Sequence, residues 1–157
     1  MTWDKGRDVI EDLLDRGHLE RVTVNEAEAE HLLSKAHAHL RTAAGVADDD
    51  PEIAYDALYA AARKALTALL VHQGLRPTRV GGHEVTIEAA MAQLVPPLGD
   101  VLRPFRRLKR RRSQGDYAGA EDQIHAEDIE ADLPAARAIV DAAARVLTQL
   151  TVFVPKR

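Results

Sequence analysis

Between Ile129 and Leu150 the apolar residues Ile129, Leu133, Ala136, Val140, Ala143, Leu147 and Leu150 recur at alternating spacings of four and three. That period puts them on a single stripe of an α-helix and scatters them over both faces of a strand. A helix carrying such a stripe must bury it against another helix or a sheet. Tyr55, Leu58, Tyr59, Ala62, Leu66, Leu69 and Leu70 repeat the helical period in a second segment, which is read as the central helix. One Trp, three Tyr and two Phe in 157 residues leave Ala, Leu, Val and Ile to build the core. Alanines such as Ala60, Ala61 and Ala62 let neighbouring helices approach closely. No segment alternates with a period of two, so an all-β fold is excluded. The expected architecture is all-α, an antiparallel up-and-down bundle of five to six helices. It forms one domain over residues 1–157, with 1–22 as an N-terminal helical extension and 25–150 as the bundle core.

Local signals set the expected boundaries. Asp4 to Asp15 is amphipathic and stops at Gly17, and LERVTV bridges to Asn25. Asn25 with Glu28 opens a helix to about Ala44, and Asp50 with Pro51 opens the next, to about Gln73 with Gly74 behind it. LRPTRVGGH reads as a loop in which Gly82 and His83 do structural work. Glu84 to Leu94 is helical and closed by Pro96 and Pro97; Leu98 to Arg112 is helical with Pro104 as an irregularity; Ser113 to Gly119 is a polar turn around Tyr117. Pro134 allows Glu127 to Leu133 to stand as a separate turn before the last helix. TVFVPKR is too short to classify.

Several chemistries are removed by composition. The chain has no cysteine, which eliminates disulfides, thiolate zinc sites and cysteine nucleophiles. Its seven histidines, His18, His31, His37, His39, His72, His83 and His125, include no His-x-x-x-His pair, so no metal and no cofactor is expected. Carboxylate pairs such as Asp8 with Asp12 and Glu26 with Glu30 read as solvated helix faces. Gly81 and Gly82 precede no phosphate-loop lysine, which rejects a nucleoside-triphosphatase. No window approaches a membrane span, and the acids in MTWDKGRDVIEDLLDRG argue against a leader peptide, so a cytoplasmic protein without membrane partners is expected.

The net charge of −4 conceals an asymmetry. Residues 103–112, RPFRRLKRRR, carry seven bases and no acid within an otherwise acidic chain. Such a block repels itself unless an acidic face, a partner chain or phosphate lies against it. Arg106, Arg107, Lys109, Arg110, Arg111 and Arg112, with Tyr117 as a stacking face and hydroxyl, are the candidate nucleic-acid or nucleotide-binding residues. The competing reading pairs these cations with Asp100, Asp116, Glu121 or Asp122.

In the segments WDKGRDVIEDLLDRGHLERV, AYDALYAAARKALTALLVHQGLRPT, GGHEVTIEAA, FRRLKRRRSQGDY and DIEADLPAARAIVDAAARVL, the chain resembles the HEPN superfamily of small helical proteins. The resemblance implies a four- or five-helix bundle, often homodimeric, with the basic segment facing a shared cleft. Catalytic members are metal-independent ribonucleases that use Arg-x4-6-His, sometimes with a tyrosine two residues on. Many are toxins paired with a minimal nucleotidyltransferase that adenylylates this tyrosine. Here Arg110 and Tyr117 match, but Gly115 stands where the histidine is expected. The form Arg-x-x-x-Asp-Tyr fits Arg112, Asp116 and Tyr117, and resembles branches without clear nuclease activity.

Three readings follow. The first is a HEPN-like protein that binds RNA or nucleotide, or docks a nucleotidyltransferase-type partner, through 106–117 without efficient cleavage, Tyr117 being a modification site. The second is a homodimeric assembly module built on the seam from Ile129 to Leu150. The third is a ribonuclease toxin of a toxin–antitoxin or defence system, with Arg110, Arg112 and Asp116 as its catalytic candidates. Asp116 is a weak base among so many arginines, which favours binding over cleavage.

Overall fold

Helix α3 (Pro51–His72) is the axis of the structure, because apolar residues cover most of its circumference and four other helices bury it. The computed structural model describes residues 4–95, 98–117, 119 and 123–156, without the side chains of 116 and 117. Around α3 are arranged α1 (Arg7–Asp15), β1 (Leu19–Arg21), α2 (Glu26–Val46), β2 (Leu75–Pro77), α4 (Gly82–Leu94), α5 (Gly99–Leu102), α6 (Pro104–Tyr117) and α7 (Ala126–Leu147). The fold is an all-α bundle, with one short antiparallel ribbon in which Leu19 pairs with Pro77 and Arg21 with Leu75. That ribbon corrects the reading of LERVTV and LRPTRV as plain connections. Three residues per strand are too few to show alternation, and Pro77 is tolerated at the ladder's end.

The local signals place most helix ends. The Asn25 side chain accepts from the Glu28 N–H at 2.9 Å, and that of Asp50 accepts from the Ile53 N–H at 3.2 Å, each removing an orphan donor. At the end of α1 the His18 N–H donates to the Leu13 carbonyl and the Gly17 N–H to Leu14. With Gly17 at φ 74° this is a Schellman stop.

Tertiary packing overrides local rules in two places. The segment 98–112 is two helices, since Pro104 opens α6 instead of interrupting it, and α6 then runs through 113–117 where a polar turn is expected. Gly115 explains the extension: a Cβ there would lie 2.4 Å from Ile124 Cδ1, so the helix packs its bare backbone beneath that side chain. Helix α7 is continuous through Pro134. Ile129 and Asp132 before the proline and Ala136 after it are all buried, which holds the axis across the missing hydrogen bond. Pro96, Pro97, Glu121 and Asp122 lie outside the described residues.

The seam of α7 is used within the chain. Ile129, Ala136, Val140, Ala143, Leu147 and Leu150 join the main core with α2 and α3, and Leu133 packs against it. This stripe therefore offers no free face to a second copy. A smaller core of Ile10, Leu13, Leu19, Leu70, Leu75, Val85, Ala89 and Phe153 docks the N-terminal segment on α4. The tail closes it: the Phe153 N–H donates to the Gln73 carbonyl at 2.9 Å, and Arg7 donates to the Val154 carbonyl at 2.6 Å. The buried side chains of Gln73 and Gln93 exchange reciprocal hydrogen bonds at 2.6 and 3.0 Å, satisfying polar atoms that water cannot reach.

Candidate functional site

Phe105 and Leu108 are fully buried and fix α6 against the bundle, which aims its cations in three inward directions and one outward. Toward α7, Arg107 donates to Asp132 at 2.5 Å and Arg111 to Asp128 at 3.2 Å. Both pairs of residues are four apart on antiparallel helices, so the two bonds form consecutive rungs. Toward α4, Lys109 pairs with Glu84. Toward α3, Arg112 reaches Asp56 at 3.3 Å and lies 5.3 Å from the centroid of the Tyr59 ring, a cation–π contact. Arg103, ahead of α6, holds exposed Asp100 at 2.7 Å.

Five of the seven cations of 103–112 are thus bound to carboxylates of their own chain. For these five, pairing with acids of the same chain describes the block. Arg106 and Arg110 remain, exposed and one helical turn apart, with no partner among the described residues. Arg110 also joins Arg107, Arg111, Gln114, Asp128 and Asp132 around a surface cavity of about 260 Å³.

The deepest part of this site is Asp132, whose side chain is 8% exposed. Its second oxygen accepts from the fully buried Tyr55 hydroxyl at 2.6 Å. Burial, followed by the hydrogen bond to Asp132, pushes the Tyr55 phenol above its ordinary range, so the hydroxyl stays a donor. Burial opposes ionisation of Asp128, but the His125 N–H and the Arg111 guanidinium outweigh it and hold the carboxyl below its ordinary value. His125 thereby serves the start of α7, its N–H donating to Asp128 at 2.8 Å.

Of the acids expected to neutralise the block, only Asp100 is seen to do so. The Asp116 and Tyr117 side chains, and all of Glu121 and Asp122, lie outside the described residues. Glu84, Asp56, Asp128 and Asp132 were not anticipated. The four-residue spacing of Asp128 and Asp132, matching that of Arg107 and Arg111, is the signal that could have revealed two of them. At Gly115 a Cβ would meet the Ile124 side chain at 2.4 Å, so a side chain there requires Ile124 to move. No family model, curated protein or solved structure matches the chain.

Proposed function

We propose that the chain binds the phosphates of RNA or a nucleotide through the outer face of α6, and that it binds without cleaving. The observation that carries this reading is the pair Arg106 and Arg110, two exposed guanidiniums left without carboxylates on a helix whose other cations are engaged. Guanidinium groups held on a rigid helix can each take a phosphate by two hydrogen bonds. Arg112, one of the catalytic candidates, is committed to Asp56 and Tyr59, and no imidazole occupies position 115. Both facts favour binding over strand cleavage. The HEPN resemblance adds a nucleotidyltransferase-type partner and a homodimer as further expectations.

Fluorescence anisotropy with a random single-stranded RNA across a salt series tests the reading. Two phosphate contacts give a slope of log affinity on log salt of about −1.4, whereas seven give about −5. The double variant Arg106→Gln, Arg110→Gln should remove the salt-dependent part. Affinity that ignores both salt and this variant refutes phosphate recognition by α6 and leaves docking of a protein partner.

A further inference from the structure

A second group of cations lies on another part of the surface, dispersed in sequence and assembled only by the fold. Arg63 on α3, Arg79 in the turn before α4, and Gly82, His83 and Thr86 of α4 meet around a cavity of about 320 Å³. Arg63 and Arg79 have no carboxylate partner among the described residues. The acids nearest them in sequence, Asp56 and Glu84, are already engaged by Arg112 and Lys109.

Helix α4 contributes more than position. It carries no side-chain cap, and the His83 and Glu84 N–H groups have no acceptor among the described residues, whereas the Gly82 N–H is taken by the Thr78 carbonyl at 3.0 Å. Uncapped amides at the start of a 13-residue helix carry partial positive charge. Thr86 supplies an independent sign of a ligand. It is 3% exposed, lies in the cavity wall, and its hydroxyl has no hydrogen-bond partner among the described residues. A buried hydroxyl is rarely left without a partner from the protein, from water or from a ligand.

The Gly81–Gly82 pair makes this convergence possible. A Cβ at Gly81 would sit 2.7 Å from the His18 carbonyl oxygen and 2.3 Å from Val85 Cγ2, and Gly82 has φ 59°. Only glycine suits both positions, and the resulting turn sets Arg79 beside the helix start.

We propose that this cavity is a phosphate-monoester site, in which Arg63 and Arg79 neutralise the dianion while the first turn of α4 and the Thr86 hydroxyl bond its oxygens. Two permanent charges match a terminal phosphate better than a singly charged diester. The volume leaves room for an organic group beyond the phosphate, within the range of small-molecule pockets. The site is independent of the α6 reading, since none of its residues lies on that helix.

Amide NMR of the full chain, titrated separately with inorganic phosphate, a nucleoside 5′-monophosphate and the same nucleoside without phosphate, provides the test. Both phosphate probes should shift the amides of 82–86 and the nucleoside should not; tighter binding by the monophosphate assigns the remaining volume to its organic part. Arg63→Gln and Arg79→Gln should each weaken binding roughly tenfold. Thr86→Val is the decisive companion, because removing an unsatisfied buried hydroxyl leaves thermal stability unchanged or raises it while phosphate affinity falls. The proposal is overturned if phosphate leaves these amides unmoved, if the nucleoside alone shifts them equally, or if the arginine variants bind as well as the wild type.

Discussion

Replacing Asp132 by alanine isolates the buried hydrogen bond that ties α3 to α7. The variant leaves the Tyr55 hydroxyl, in a side chain with no exposed surface, without the acceptor it has at 2.6 Å. An orphaned buried donor costs about 1–3 kcal/mol. The rung to Arg107 adds little, because that guanidinium is 53% exposed and water screens the pair to about 0–1 kcal/mol. The expected loss is about 2–3 kcal/mol, which for a domain of this size lowers the melting temperature by about 5–10 °C. Urea denaturation of the four members of the cycle Tyr55→Phe and Asp132→Ala is the assay. In the Tyr55→Phe background the alanine substitution should cost less, since no hydroxyl is left to be orphaned. Equal losses in both backgrounds, or an Asp132→Ala variant within about 0.5 kcal/mol of the wild type, would refute the reasoning. Asp132→Asn adds a functional arm: it keeps an acceptor for Tyr55 while uncovering Arg107, so the salt slope of RNA binding should steepen by about 0.7.

Gly6 starts α1 with φ 77°, and a Cβ there would lie 2.6 Å from the Ala92 carbonyl oxygen. Gly6→Ala should therefore cost about 2–4 kcal/mol, measured by chemical denaturation, against about 1 kcal/mol for Gly17→Ala, whose position is open. Gln93→Leu should cost about 1–3 kcal/mol by stranding the Gln73 amide, and the double variant with Gln73→Leu should recover part of that loss. Loss of hydration, then the charges of Lys64, Lys35 and Arg63, hold the His39 imidazole below its ordinary value of 6.5, consistent with Nε2 accepting from Lys64 at 2.7 Å. The unfolded chain then binds the extra proton first, so the His39 contribution to stability is complete above pH 6.5 and is lost as pH falls through the lower folded value. Melting temperatures between neutral and mildly acidic pH should fall less steeply in His39→Gln; an unchanged slope contradicts the assignment.

The sequence disclosed the architecture through short-range rules. The helical stripes of 55–70 and 129–150, the caps Asn25 and Asp50, and the glycines at 17 and 74 all act within one or two turns, and each appears where expected. Where a local rule met a packed surface, packing won: Pro134 lies inside a continuous helix, and Gly115 extends α6 beneath Ile124. The site was less legible. Composition located the basic block, but Arg112 finds its acid 56 positions away and Lys109 finds one on α4.

By itself, then, the order of residues determined which segments are helical, how they start and stop, and where positive charge accumulates, since hydrogen bonding to neighbouring backbone and the helical period are properties of adjacent positions. Only the tertiary structure decided which of those charges stay available. It left Arg106 and Arg110 uncovered on α6 and brought Arg63 and Arg79 together around the start of α4. Ion pairing and desolvation depend on distance through space, and a cation's nearest acid in the fold is rarely its nearest acid along the chain.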